Sequence, residues 1–191
     1  MTIGILALQG AFAEHEHVLE KSGIPYRELR RAEDLDTMFD GFILPGGEST
    51  VQGKLLNDLG MLVPLKEQIE AGAAVLATCA GLILLASKIE DSPSVYLSQI
   101  PMTVRRNAYG RQLGSFYTES ELKGIGKIPM TFIRAPYVTE VSPEVDVLAE
   151  VDGNIVAVKY KNRIALSFHP ELDGDMRIHK EFLKLAGEKM L

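Results

Sequence analysis

Ala73-Ala74-Val75-Leu76-Ala77-Thr78-Cys79-Ala80-Gly81 runs from an unbroken apolar segment into a turn of small residues. A short apolar run with no charge suits a strand buried on both faces, as in a parallel sheet, so Ala73–Ala77 is predicted as a strand. The apolar residues that follow predict a helix from Gly81 to Lys88. Working outward toward the N-terminus, the same alternation recurs. Ile3 to Leu8 is a buried strand, and Phe12 to Ser22 a helix closed by Gly23 and Pro25. Tyr26 to Leu29 and Gly41 to Leu44 are further strands. Ser49 or Thr50 caps a helix reaching Leu59, and Leu62 to Ala71 is helical again. Toward the C-terminus the pattern is richer in strands: Met102–Arg105, Ser115–Thr118, Thr131–Ile133, Val145–Glu150, Ile155–Tyr160 and Ile164–Phe168. Met176 to Met190 closes the chain as an amphipathic helix. The expected fold is α/β: a mostly parallel central sheet with helices on both faces, in one domain over residues 1–191. In such sheets sites form beyond the carboxyl ends of the strands, here after Leu8, Leu44, Ala77 and Phe168.

Composition narrows the chemistry. Among 191 residues there is one cysteine, Cys79, which excludes an internal disulfide, a Cys-rich zinc site and an iron–sulfur cluster. A net charge of −6 is the wrong balance for a nucleic-acid-binding surface. The longest uncharged apolar stretch, Ala71 to Ala86, is shorter than the roughly 18 to 20 residues of a membrane helix. With no basic region ahead of the first apolar run, a cytoplasmic location is expected.

Three strand ends carry the chemistry. Small residues flank Cys79 between strand and helix, as in a nucleophile elbow, and a helix N-terminus favours a thiolate. On these residues alone Cys79 is equally a reactive thiol or a buried small hydrophobe. Phe168-His169-Pro170-Glu171 follows the last strand. In extended chain His169 and Glu171 face the same way, so the glutamate can orient a histidine that serves a nucleophile elsewhere. Pro45-Gly46-Gly47-Glu48-Ser49-Thr50 lets the backbone approach a ligand closely. An N–H of Gly46 or Gly47, with that of Ala80, would form an oxyanion hole. A P-loop is rejected, because five residues rather than four separate Gly47 from Gly53 and Leu55 replaces the required hydroxyl residue. His15 and His17, two apart on a helix, read as exposed polar residues, and His179 as a residue at a surface or packing edge. No metal-binding pattern occurs, and neither metal nor cofactor is expected.

The motifs taken together resemble the class I glutamine amidotransferases, and within them the glutaminase subunits of pyridoxal 5′-phosphate synthase. The resemblance spans essentially the whole chain. It rests on Leu8-Gln9-Gly10, Gly46-Gly47-Glu48-Ser49-Thr50, Thr78-Cys79-Ala80-Gly81, Arg106-Asn107-Ala108-Tyr109-Gly110-Arg111-Gln112, Phe132-Ile133-Arg134-Ala135-Pro136 and Phe168-His169-Pro170-Glu171-Leu172. It implies a flavodoxin-like fold, hydrolysis of L-glutamine to glutamate and ammonia, and a Cys79–His169–Glu171 triad. It also implies glutamine binding by Gly47, Glu48, Ser49, Arg106, Ile133 and Arg134. The implied partner is the synthase subunit, which uses the ammonia to make pyridoxal 5′-phosphate. Ala77 stands where such elbows commonly carry glycine, and a slightly tighter turn is expected there. Free ammonia is lost to protonation and diffusion, so low activity alone and activation by the partner are expected, with the Gly46–Gly47 peptide as the switch. Gln9 and Gly10 share that edge and are placed to meet the partner. The alternative is a non-catalytic binding or chaperone module on the same fold.

Overall fold

The computed structural model describes residues 1–90, 92–106 and 114–187. Much of the Arg106–Gln112 motif and the end of the last predicted helix therefore lie outside the described residues. The chain opens with β1 (Ile3–Leu6), α1 (Phe12–Lys21), β2 (Tyr26–Leu29), β3 (Gly41–Leu44), α2 (Ser49–Asp58), α3 (Leu62–Glu70) and β4 (Ala74–Thr78). After Cys79 come α4 (Ala80–Leu85), β5 (Ala86–Ile89), β6 (Ile100–Arg105), β7 (Ser115–Leu122) and β8 (Gly126–Ile133). Then follow β9 (Tyr137–Val141), β10 (Asp146–Val151), β11 (Asn154–Tyr160), β12 (Arg163–Leu166) and α5 (Arg177–Gly187).

The sheet runs β2-β1-β3-β4-β12-β11-β9-β6-β5, with β10 paired on β11. From β2 to β12 every neighbour is parallel. Beyond β12 the sheet continues antiparallel through β11, β9 and β6 and ends on a parallel pair, β6 with β5. β1, β3, β4 and β12 have uniformly buried residues, the mark of strands covered on both faces.

Alternate strand residues feed two cores. Phe42, Leu44, Val75 and Ala77 pack with Leu56, Leu65 and Ile69 of α2 and α3. On the other face Ile5, Ile43, Leu76 and Leu166 meet Leu19 of α1 and Ile178 and Phe182 of α5. That face is not covered by helices alone. The β7–β8 hairpin contributes Leu122, Met130 and Phe132 to it, with Phe132 ring-stacked on Phe116 at 4.4 Å.

Several predicted boundaries move, β7 and β8 among them, which run over Ser115–Leu122 and Gly126–Ile133. The helix expected over Gly81–Lys88 stops at Leu85, and the chain turns at once into β5. No glycine or proline separates the two elements, so no local breaker marks the junction. Ser49 begins α2 instead of capping it. Glu48 holds the cap position, with no side-chain cap hydrogen bond. β9, which follows Pro136 and mixes polar with apolar residues, was not expected.

Candidate active site

β1, β3, β4 and β12 are mutually parallel, so their carboxyl ends share one edge. Gln9, Gly46, Cys79 and His169 lie just beyond those ends and line one cleft of about 660 Å³.

Cys79 sits in the turn between β4 and α4, with φ 49° and ψ −99°. A non-glycine residue in that region is strained, at a cost of about 1–3 kcal/mol. The surroundings fix it: its N–H donates to the Leu166 carbonyl of β12 at 2.8 Å. Two residues on, a Cβ at Gly81 would fall 2.1 Å from the Leu44 carbonyl oxygen, so only glycine lets α4 leave the elbow beside β3. The small residue the turn requires is thus Gly81, while Ala77 packs fully buried in β4.

His169 follows β12, its N–H donating to the Thr131 carbonyl at 2.9 Å. Its Nδ1 lies 2.7 Å from Oε1 of Glu171. The pairing is as expected but its local geometry is not: Pro170–Leu172 forms a 3-10 turn rather than extended chain. The Glu171 side chain is fully buried and that of His169 only 7% exposed. Burial works against a charged imidazole, yet hydrogen bonds to Cys79 and Glu171 outweigh it and raise His169 to about 10. Burial likewise pushes Glu171 up, but His15 and the bond from His169 more than reverse this and hold it below the usual carboxylate range.

The glycine pair is held from behind. The Gly46 carbonyl accepts the Ala11 N–H at 3.0 Å. A Cβ at Gly10 would fall 1.8 Å from that carbonyl oxygen, and one at Gly46 would fall 2.3 Å from Cε1 of His169. Gln9 accepts the Glu48 N–H through Oε1 at 2.8 Å, and its carbonyl accepts from Gln52 Nε2 at 2.8 Å.

Of the expected site residues, Gly46, Gly47, Glu48, Ser49, Cys79, Arg106, Ile133, Arg134 and His169 line the cleft. Glu171 stands behind His169. Ala80 is buried as the first residue of α4, where helix geometry leaves its N–H without an intrahelical acceptor. Arg134 lies 4.0 Å from Glu48, and Arg106 donates to Thr50 Oγ1 at 3.1 Å. The Ile133 carbonyl is 4.0 Å from Cys79 Sγ. Among the described residues no cluster of three or more His, Cys, Asp or Glu could hold a metal ion.

Two expectations fail. His15 and His179 are neither exposed nor peripheral: both are fully buried. They touch each other at 3.1 Å, and His15 lies 3.5 Å from Glu171. The signal was present. His15 shares a helix face with Val18 and Leu19, and His179 lies three residues before Phe182, so both fall on apolar stripes. Gln52, which braces the glycine loop, carries the same signal four residues before Leu56, whereas Gln9, in a loop, carries none.

A strand-end cysteine on a strained elbow, with a histidine and a glutamate following the next parallel strand, is the arrangement of a cysteine hydrolase built on a parallel α/β sheet. The family model described as the SNO glutamine amidotransferase family matches residues 5–188, and the chain belongs to that family. It is 58% identical over 190 residues to a Desulfitobacterium hafniense protein named pyridoxal 5′-phosphate synthase subunit PdxT, covering 99% of this chain and 96% of that one. A Streptococcus pneumoniae protein of the same name is 54% identical over 192 residues, covering 99% of each chain. A crystal structure of a glutamine amidotransferase superposes with a TM-score of 0.92 at 41% identity, over 97% of this chain and 99% of that one. A Thermotoga maritima glutamine amidotransferase, at 13% identity and TM-score 0.63 over 96% of this chain and 80% of that one, shares the fold alone.

Proposed function

We propose that this chain hydrolyses L-glutamine to L-glutamate and ammonia through a Cys79 thioester and supplies the ammonia to a pyridoxal 5′-phosphate synthase subunit in the cytoplasm. The observation that carries this is the 2.7 Å His169–Glu171 contact beside a cysteine held on a strained elbow. The names of the relatives support the pathway and the partner. No helix among the described residues is long and apolar enough to cross a membrane. Both cores share one sheet, which supports a single domain.

Glutamine enters with its α-ammonium toward Glu48 and its α-carboxylate toward Arg106 and Arg134, charges that line the cleft mouth. The Cys79 thiolate attacks the side-chain amide carbon. The N–H groups of Ala80 and of the Gly46–Gly47 pair take up the negative charge on the tetrahedral oxygen. As the intermediate collapses, the C–N bond breaks and His169 Nε2 gives its proton to the departing ammonia. His169, now neutral, takes a proton from water. The hydroxide attacks the thioester, glutamate leaves, and the thiolate and imidazolium are restored. Glu171 keeps the Nδ1–H of His169 in place throughout.

Reorienting the Gly46–Gly47 peptide would break the Ala11–Gly46 hydrogen bond. That bond is a restraint a docked partner could release. Glutamine turnover should be low for the isolated chain, higher with the synthase subunit, and absent for Cys79→Ala in either state. Full turnover by a folded Cys79→Ala protein would overturn the assignment.

A further inference from the structure

The line of polar contacts does not stop at Glu171. Its second oxygen, Oε2, has no hydrogen-bond partner at ordinary distance among the described residues. His15 Nε2 lies 3.5 Å from Oε2 and 3.4 Å from Thr78 Oγ1. Both distances lie at the long end for hydrogen bonds, as is common in unliganded catalytic sites, where such contacts tighten with substrate. Behind it, His15 Nδ1 meets His179 Nε2 at 3.1 Å. α1, α5 and β4 thus each send one polar side chain to a point behind the carboxylate, in a region otherwise filled by apolar core.

The proton arrangement follows from electrostatics. Glu171, His169 and Glu14 act on His15, while His15 and Glu171 act on His179. Burial outweighs the carboxylates: it lowers His15 and pushes His179 down to about 3. Two neutral arrangements remain. If His15 carried its proton on Nδ1, its Nε2 lone pair would face the carboxylate. His179 would then carry its proton on Nδ1, which has no partner among the described residues. A buried orphan N–H is costly, and a lone pair against an anion is repulsive. With both protons on Nε2, His179 donates to His15 and His15 donates toward Glu171. The orphan is then only an unused acceptor.

We propose that His15, backed by His179, is a positioning residue of the glutaminase reaction: its Nε2–H steadies the ionised Glu171 carboxylate, which in turn fixes His169 against Cys79. This rests on the triad assigned above. A donor to a carboxylate favours its charged form, so losing that donor raises the carboxyl pKa. Activity requires ionised Glu171 and therefore fades at a higher pH once the donor is gone.

The test measures glutamine hydrolysis against pH for the complex with the synthase subunit, comparing the parent, His15→Leu and His15→Gln. His15→Leu should lower kcat about 10–100-fold, leave KM for glutamine within about twofold, and move the acid limb of the profile to higher pH. His15→Gln places an amide N–H near the Nε2 position and should recover most of the rate and the original limb. An unchanged kcat and acid limb in folded His15→Leu would overturn the proposal. So would equal losses in both variants with the limb unmoved, since that is the signature of packing alone. Nitrogen-15 NMR of the histidine-labelled parent decides the matter even if His15→Leu does not fold. Neutral Nε2–H forms of His15 and His179 at neutral pH are expected, and a charged or Nδ1–H His15 would overturn it. A parent inactive on glutamine, or an active Cys79→Ala, would instead undo the triad assignment itself.

Discussion

The mouth of the cleft and its back wall carry similar charges in opposite surroundings. At the mouth, the Glu48 and Arg134 side chains are 63% and 73% exposed and sit 4.0 Å apart. At the back wall, the Glu171 side chain is fully buried and 2.7 Å from His169. Water and salt screen the first pair, so it gives up its mutual contact at little cost when a zwitterionic substrate offers both charges. The second pair works in a drier, less polarisable region where orientation is fixed before substrate arrives. On the proposed mechanism recognition belongs to the mouth and chemistry to the back wall, and the two should separate in the kinetics.

The largest effects should come from the back wall. His169→Asn should lower kcat about 10⁴-fold or more with little change in KM, because it removes the group that carries the proton. Glu171→Gln should cost about 10–100-fold less than that, since it disturbs only the orientation of the base. Steady-state kinetics of the folded variants in complex measure both. At the mouth, Arg134→Ala should raise KM for glutamine about tenfold, the loss expected for one charge-assisted contact at a partly exposed site, while kcat changes little. An Arg134→Ala protein that lost kcat as deeply as His169→Asn would erase the distinction between the two regions.

The same contrast governs how much was legible in the sequence. β3 falls on its expected residues because Gly41–Leu44 is short, apolar and closed by Pro45-Gly46-Gly47, and β2 does so as a short run opened by Pro25. The elbow, the glycine pair and His169-Pro170-Glu171 were legible because each directly follows such a run. The edge of the sheet was harder. β5 follows α4 with no glycine or proline between them, and β9 has the mixed pattern of a strand with an exposed face. The 3-10 turn over Pro170–Leu172 has a local signal, proline at its first position, which favours a helical turn over extended chain. His15 departs from expectation because its spacing from His17 says nothing about burial, and His179 because the terminal helix has both a buried and an exposed face. The apolar stripe of each helix was the better guide, as it places both rings in the core.

The central claim is that the only cysteine is the nucleophile, and alkylation tests it most directly. The complex should be titrated with iodoacetamide, following incorporation by mass and glutamine hydrolysis in parallel. One equivalent at Cys79 should abolish activity in proportion to incorporation, and added glutamine should slow the reaction. A fully alkylated protein that still hydrolysed glutamine at the parent rate would contradict the account.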